Sequence, residues 1–308
     1  MLFNEYLKNC REKYNLTQEE LVQELYAFSD VFEGLDTSTL SRWERAVTKP
    51  QIDKQIQILK LFQTKSNFLL SCFENFDKHL IEEELCKIGI KNLLGSSKEH
   101  ILNGPTKYFK LRYASVNHIR SAKNIDKALA MPYSTILNLT DNVYDLSLES
   151  VKTWALHPSN FFIYSQYHEE FAGILFSLRL KPSVFQKLIN FEIKLNAITV
   201  DDFASFEEMG CNVPIVFFAH NDKISSLLTV RYYAHLIANQ DVIQEVGAIP
   251  LLGGAKKIVQ NMNLKFYKNK KVKQGTLEAY SAPLSDVLIN ESVLKIIFRK
   301  QKCPEDEY

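Results

Sequence analysis

The sequence predicts two architectures in one chain, an all-α bundle followed by an α/β domain built on a mixed α+β sheet. Three observations predict it. Apolar residues in the first 65 positions recur at helical spacing behind recognisable capping residues, and from about residue 108 they fall instead into short apolar runs alternating with helical ones. A length of 308 residues suits about two domains, and 46% hydrophobic with 12% aromatic residues suffices for two cores. The expected division is 1–65, a helical connector at 66–106, and a second domain at 107–308.

Within the first segment, Thr17 stands where an N-cap belongs and Glu20 follows three residues later, the spacing of a capping box that starts a helix. From it Leu21 and Leu25 face inward. A further helix opens near Asp36 or Thr37, with Leu40 and Trp43 on its inner face and Thr37, Ser38, Ser41, Arg42 and Arg45 on its outer one. Residues Asp53 to Phe62 add Ile56, Leu59, Leu61 and Phe62 to finish the bundle.

The start Thr17-Gln18-Glu19-Glu20-Leu21, the run Leu40-Ser41-Arg42-Trp43-Glu44-Arg45 and the stop Lys49-Pro50 resemble the lambda-repressor and Cro-like (XRE-type) helix-turn-helix family over residues 1–65. The resemblance implies double-stranded DNA as partner. It implies Gln18 on a phosphate, Thr37, Ser38 and Arg42 on base edges with Ser41 beside them, and Arg45 and Lys49 on backbone phosphates. Glu44 matches the family's buried acid, which pairs with an arginine of the first helix, here Arg11. The stretch Tyr26 to Asp36 is longer than the family's tight turn and carries Phe28, Val31, Phe32 and Leu35 together with Asp30, Glu33 and Asp36, so it reads as a small acidic insertion.

With 37 basic and 36 acidic side chains overall, and nine against ten in residues 1–65, bulk charge offers no attraction to DNA. Affinity then depends on placement and on two half-sites, and a homodimer is expected. The five cysteines have no Cys-x-x-Cys spacing, which argues against a disulfide framework and a zinc cage and fits a reducing cytoplasm. His118, His157, His168, His220 and His235 show no metal-ligand spacing, so no metal is expected. The first residues lack a signal-peptide pattern, and the longest apolar stretch, Ile224 to Ile237, is broken by Arg231, so no membrane span is expected.

Between the domains, Phe68, Leu69, Cys72, Phe73, Phe76, Leu80, Leu85 and Ile88 form a near-helical stripe. It fits a helix packed on its own chain or one shared between subunits. Strands are expected at Tyr108–Ser115, Phe161–Gln166, Phe171–Leu180, Val213–Ala219, Val242–Ala248 and Leu264–Tyr267. Helices are expected at Asn117–Leu129, in short pieces over Leu139–Trp154, at Lys223–Asn239 and at Leu252–Met262. Residues 167–170 make the turn of a hairpin, and the basic run Lys265 to Lys273 reads as a charged hairpin tip.

This order of elements resembles the GNAT acetyltransferase superfamily over about residues 107–300. The resemblance places a ligand cleft at Phe217, Phe218, Ala219, His220 and Asn221, where the family's strand splays from its neighbour and a glycine-rich turn cradles pyrophosphate. Here the turn His220-Asn221-Asp222-Lys223-Ile224-Ser225-Ser226 has no glycine, and Asp222 and Ile224 fall on the family's glycine positions. The family's catalytic Asn and Tyr fall on Leu252 and Val259, which transfer no proton. Tyr267 or Tyr280 could substitute from strands, and Glu169-Glu170 could hold a base, but a packing role and a solvated turn account for them; Gly253-Gly254 needs only turn chemistry. The expected reading is a cytoplasmic DNA-binding transcription regulator whose GNAT-like domain is a sensor or dimer platform for a small-molecule effector. That reading expects no catalytic residues, no enzymatic activity and no cofactor, acyl-CoA being the one possible ligand of this kind. The alternatives are an active acyl-CoA-dependent N-acyltransferase carrying a DNA-binding module, and an antitoxin or phage-type repressor that binds a partner protein.

Overall fold

The computed structural model describes residues 2–65, 82–83, 85–86, 89, 114–140, 145–250, 253–272 and 275–298. The chain forms two compact units, one of residues 1–96 with 288–308, the other of residues 97–287.

In the first unit, α1 (Phe3–Lys13), α2 (Gln18–Phe28), α3 (Thr37–Glu44) and α4 (Ile52–Thr64) follow in order, with a single 3-10 turn, Asp30–Phe32, between α2 and α3. The caps act as the sequence implies. Thr17 and Glu20 complete a reciprocal capping box on α2, and Asp36 Oδ1 accepts from the Thr39 N–H at 2.7 Å to open α3. Leu21, Leu25, Leu40 and Trp43 are buried, as is Phe32, which pins the inserted turn to the core. A helix near the other end of the chain, here called α11 (Glu291–Ile297), belongs to this unit. Its Val293, Leu294, Ile296 and Ile297 are buried, and the following Phe298 meets the rings of Phe3 and Tyr6 at 5.1 and 5.5 Å. The bundle core is therefore completed by residues that the expected 107–308 division assigns to the second domain. Of the connector stripe only Leu85 lies among the described residues, and it is buried, as is the neighbouring Cys86.

The second unit is a seven-stranded mixed sheet. Its strands are β1 (Ala114–His118), β2 (Phe161–Tyr167), β3 (Glu170–Leu180), β4 (Gly210–Ala219), β5 (Ile243–Ala248), β6 (Lys265–Val272) and β7 (Gly275–Pro283), in the spatial order β1-β2-β3-β4-β5-β7-β6. All neighbours are antiparallel except β4 and β5, whose parallel pairing follows from the crossover helix α8 (Asp222–Ala238). The helices α5 (Ile125–Thr140), α6 (Leu148–Leu156), α7 (Pro182–Ile189), α9 (Gly253–Asn261) and α10 (Leu284–Leu288) complete the set. Leu129 and Ile136 of α5, Trp154 of α6 and Phe185 of α7 share one core with Phe162, Phe176 and Leu178, and the Phe162 and Phe176 rings stack at 4.3 Å. Helix α8 is buried nearly all round, which its long apolar run anticipates.

Several boundaries differ from expectation for physical reasons. The first strand is 114–118, with residues 108–113 outside the description, so the helix placed at 117–129 starts later. It runs through Pro132 to Thr140, because burial of Leu129 and Ile136 outweighs the backbone bond that proline removes. Of the Lys265 to Lys273 run, Lys265–Val272 is an edge strand rather than a hairpin tip, since β7, which the composition of Gly275–Pro283 conceals, pairs with it, and Lys273 lies outside the described residues. The hairpin turn at 167–170 stands, with His168 and Glu169 both at positive φ (50° and 68°) between the paired Tyr167 and Glu170.

Helix α8 packs closely on β3 at Gly173, where an added Cβ would come within 2.7 Å of the Phe218 carbonyl oxygen and 2.9 Å of Ile224. Neither contact can yield without moving backbone or core, so Gly173→Ala is expected to cost about 1–3 kcal/mol. A urea melt of the variant showing no loss would contradict this packing.

Candidate functional site

The feature that sets the second unit apart is a fork at the centre of its sheet. Strands β4 and β5 are in register only at Gly210↔Ile243, Cys211↔Glu245 and Asn212↔Val246. Beyond Asn212, β4 continues for seven residues that pair, among the described residues, with β3 alone, and a bulge leaves Ile215 out of that ladder beside Pro214. Burial changes at the same point. Residues 210–213 are buried, whereas Pro214, Ile215, Phe217, Phe218 and Ala219 are half-buried although β4 is the fourth of seven strands. A central strand with one exposed backbone edge is a slot into which an extended chain bearing amides can add as a strand.

The slot ends at the α8 N-terminus, where helix dipole and amide groups favour an anion. Asn221 Oδ1 accepts from the N–H groups of Lys223 and Ile224, both at 3.0 Å, so the cap holds the donors a phosphate would use. Ile224, expected to obstruct the turn, is fully buried with its side chain against Gly173, and Asp222 is exposed. Of the expected cleft residues, Phe218 stacks on Phe171, and His220 stands edge-on to both rings at 5.3 and 6.2 Å. Phe217 and Ala219 lie on the half-buried stretch of β4, and Asn221 is the cap itself.

Titratable groups converge on the β5–β7 ladder, beside the end of β5 that diverges from β4. Tyr280, opposite Ala248 in that ladder, donates its hydroxyl to Glu278 Oε2 at 2.6 Å, and Lys256 Nζ of α9 lies 2.8 Å from Glu278 Oε1. The hydrogen bond to Glu278 raises the Tyr280 pKa above the ordinary tyrosine range, while Lys256 and then Tyr280 hold the Glu278 carboxyl below the usual carboxylate range. A neutral phenol thus sits against an ionised carboxylate at physiological pH. Sequence reasoning named Tyr280 and missed Glu278 and Lys256, because β7 carries no apolar alternation that announces a strand. Val259 is buried, Leu252 lies outside the described residues, and Tyr267 is exposed on the edge strand.

In the first unit, α3 presents Thr37, Ser38 and Arg42 to solvent, followed by exposed Arg45 and Lys49, with Ser41 half-buried among them. Behind it, Arg11 Nε donates to Glu44 Oε1 at 2.6 Å and Arg11 Nη2 to Oε2 at 3.2 Å. The bond to Glu44 raises the arginine pKa further above its ordinary value. Gln18, expected on a phosphate, donates its side-chain amide to Glu44 Oε2 at 2.8 Å and so serves the same internal cluster.

No protein-family model matches the chain, and a search among curated proteins finds no match. Among solved structures, matches cover a little over half of this chain. Arabidopsis thaliana Naa50 in complex with the bisubstrate analogue CoA-Ac-MVNAL is 9% identical with a TM-score of 0.36, covering 55% of this chain and 98% of that one. An N-acetyltransferase from Staphylococcus aureus Mu50 is 15% identical with a TM-score of 0.37, over 56% and 98%. The CoA-dependent acyl-homoserine lactone synthase MesI is 11% identical with a TM-score of 0.30, over 59% and 92%. The expectation of a chain without enzymatic activity is corrected here: these neighbours are described as an N-acetyltransferase, a CoA-dependent synthase and a protein holding a CoA bisubstrate analogue. Among the described residues no helix is long and apolar enough to cross a membrane, and no cluster of three or more His, Cys, Asp or Glu residues forms a metal site.

Glu44 is 7% exposed and bears three hydrogen bonds that join α1, α2 and α3. Removing the carboxylate strands a largely buried guanidinium, so Glu44→Ala is expected to cost about 3–5 kcal/mol. Chemical denaturation followed at Trp43 tests this, and a loss below about 1 kcal/mol, the range of exposed pairs, would rule out the structural role.

Proposed function

We propose that the second unit is an acyl-CoA-dependent N-acyltransferase domain and that the first unit is a DNA-binding module. The observation that carries the enzymatic reading is the fork, since three paired residues followed by seven with a free edge on β4 leave the sheet open at its centre. Val213 to Ala219 would bind the amide-bearing arm of the acyl donor as an added strand. The α8 N-terminus would hold its phosphates once the Asn221 side chain turns away from the Lys223 and Ile224 amides, with Lys223 adding a cation in the first turn. The donor supplies the acyl group as an activated thioester.

The chain's own groups supply the proton traffic. Glu278, ionised and paired with Lys256, accepts the proton that an attacking amine loses on acylation. Tyr280, protonated, gives its hydroxyl proton to the departing thiolate, and the proton held by Glu278 returns to the Tyr280 oxygen along their 2.6 Å hydrogen bond. The balance is one amide and one thiol formed from one amine and one thioester.

DNA binding by the first unit is supported by exposed Thr37, Ser38 and Arg42 on a short helix, followed by exposed Arg45 and Lys49, with the helix's opposite face locked by Leu40, Trp43 and the Arg11–Glu44 pair. Such a row has the polar reach to meet base edges and phosphates while the bundle fixes its orientation.

Two measurements test these readings separately. Thiol release from acetyl-CoA with a primary-amine acceptor is expected for the wild type, and Tyr280→Phe should lower kcat about 100-fold or more with KM for acetyl-CoA little changed. Absence of wild-type turnover across acyl-CoAs and amines would refute the enzymatic reading. In duplex selection from random pools, Arg42→Ala should relax preference at one base pair at a cost of about 1–3 kcal/mol, whereas Lys49→Ala should weaken all duplexes alike and reduce the salt slope by about one. Failure to enrich any sequence at low salt would refute the second reading.

A further inference from the structure

At the closed end of the fork lies a buried cation that the chemistry above does not use. Arg179 of β3 is 1% exposed. Its Nη2 donates to the Glu208 carbonyl at 2.6 Å and to the Val242 carbonyl at 3.2 Å, and the Val242 carbonyl also accepts from Gly210 N–H at 2.9 Å. Glu208 precedes β4 and Val242 precedes β5, so one guanidinium joins the approaches to both arms at the point where they begin their three-residue pairing. The Asp241 and Glu208 carboxylates act on it only through their charge, no ion pair joins it among the described residues, and its Nε and Nη1 have no hydrogen-bond partner. A buried charge without an ion pair is costly, so packing alone gives no reason to retain it.

Gly210 belongs to the same device. A Cβ there would fall 2.9 Å from Arg179 Nε, 3.1 Å from Arg179 Cγ and 2.9 Å from the Ala204 Cβ, so only glycine lets the guanidinium pass beneath the start of β4. We infer that Arg179, admitted by Gly210, is the positioning residue that clamps the closed end of the β4–β5 fork and thereby sets the opening available to the acyl donor. Three parallel pairs cannot by themselves fix the angle between two strands, because the rest of each arm is unpaired on that side. Tying the lead-in carbonyl of each arm to one rigid planar group supplies the missing constraint. The part concerning the acyl donor rests on the acyltransferase reading, whereas the clamp itself does not.

The test combines hydrogen exchange with coenzyme A binding on the full chain, for wild type, Arg179→Met, Arg179→Lys and Gly210→Ala. Amides of Gly210–Asn212 and Ile243–Val246 should exchange at least about tenfold faster in Arg179→Met, while the β2–β3 hairpin keeps wild-type protection. Gly210→Ala should reproduce this pattern. Arg179→Lys, which reaches one carbonyl rather than two, should fall between, and calorimetric affinity for coenzyme A should drop about tenfold in step with the local opening. Exchange that accelerates uniformly over the sheet would overturn the clamp and leave Arg179 a general stabiliser; unchanged exchange at both strand starts would overturn it outright. Wild-type protein that fails to bind coenzyme A counts against the acyltransferase reading alone, and the exchange pattern then decides the clamp. Should Arg179→Met not fold, Gly210→Ala and Arg179→Lys decide it by the same criteria.

Discussion

Three parallel residue pairs, Gly210 to Asn212 against Ile243 to Val246, hold the two halves of the sheet together at its centre. On one side lie β1, β2, β3 and β4, on the other β5, β7 and β6, and all else in the second unit is arranged around that short seam. Because β4 outruns the seam by seven residues, its backbone groups on that side meet no paired strand among the described residues, which in a buried sheet is unfavourable unless something else satisfies them. The crossover helix α8 begins where β4 ends, so the open edge and the helix N-terminus form one continuous path.

In the proposed reaction, the groups at the edge of that path come from the other side of the seam. Tyr280 and Glu278 sit on β7 and Lys256 on α9, with the Tyr280 hydroxyl and the Lys256 ammonium both on the Glu278 carboxylate. Strand pairing alone brings them next to the diverging end of β5, through Ala248↔Tyr280. The arrangement therefore needs no motif in the linear sequence, only a register.

Much of the first unit was legible because its signals are local. A capping box reads from Thr17 and Glu20, and inward Leu21, Leu25, Leu40 and Trp43 read from helical spacing. The Arg11–Glu44 pair followed from the family resemblance and is present, although Gln18 proved to face the same carboxylate. Helix α11 was not legible, since seven residues with a short apolar cluster could pack anywhere and their partners lie at the far end of the chain. In the sheet unit, β2, β3, β4 and α8 read from continuous apolar runs, whereas β7 did not, because Gly275–Pro283 mixes small, polar and charged residues with too little apolar alternation to mark a strand. The judgement against catalysis came from that gap. Tyr280 was weighed and set aside as a packing residue, because its partner Glu278 stood on the same unread strand and nothing in the linear sequence joined the two.

A central-sheet opening of this kind makes a direct spectroscopic demand. Titration of coenzyme A into isotope-labelled protein, followed by backbone amide resonances, is predicted to shift Val213, Val216–Ala219, Gly247 and Ala248 along the fork together with Lys223 and Ile224 at the α8 N-terminus. Saturating coenzyme A that leaves those amides unmoved, or that moves residues elsewhere in the chain alone, would contradict the account.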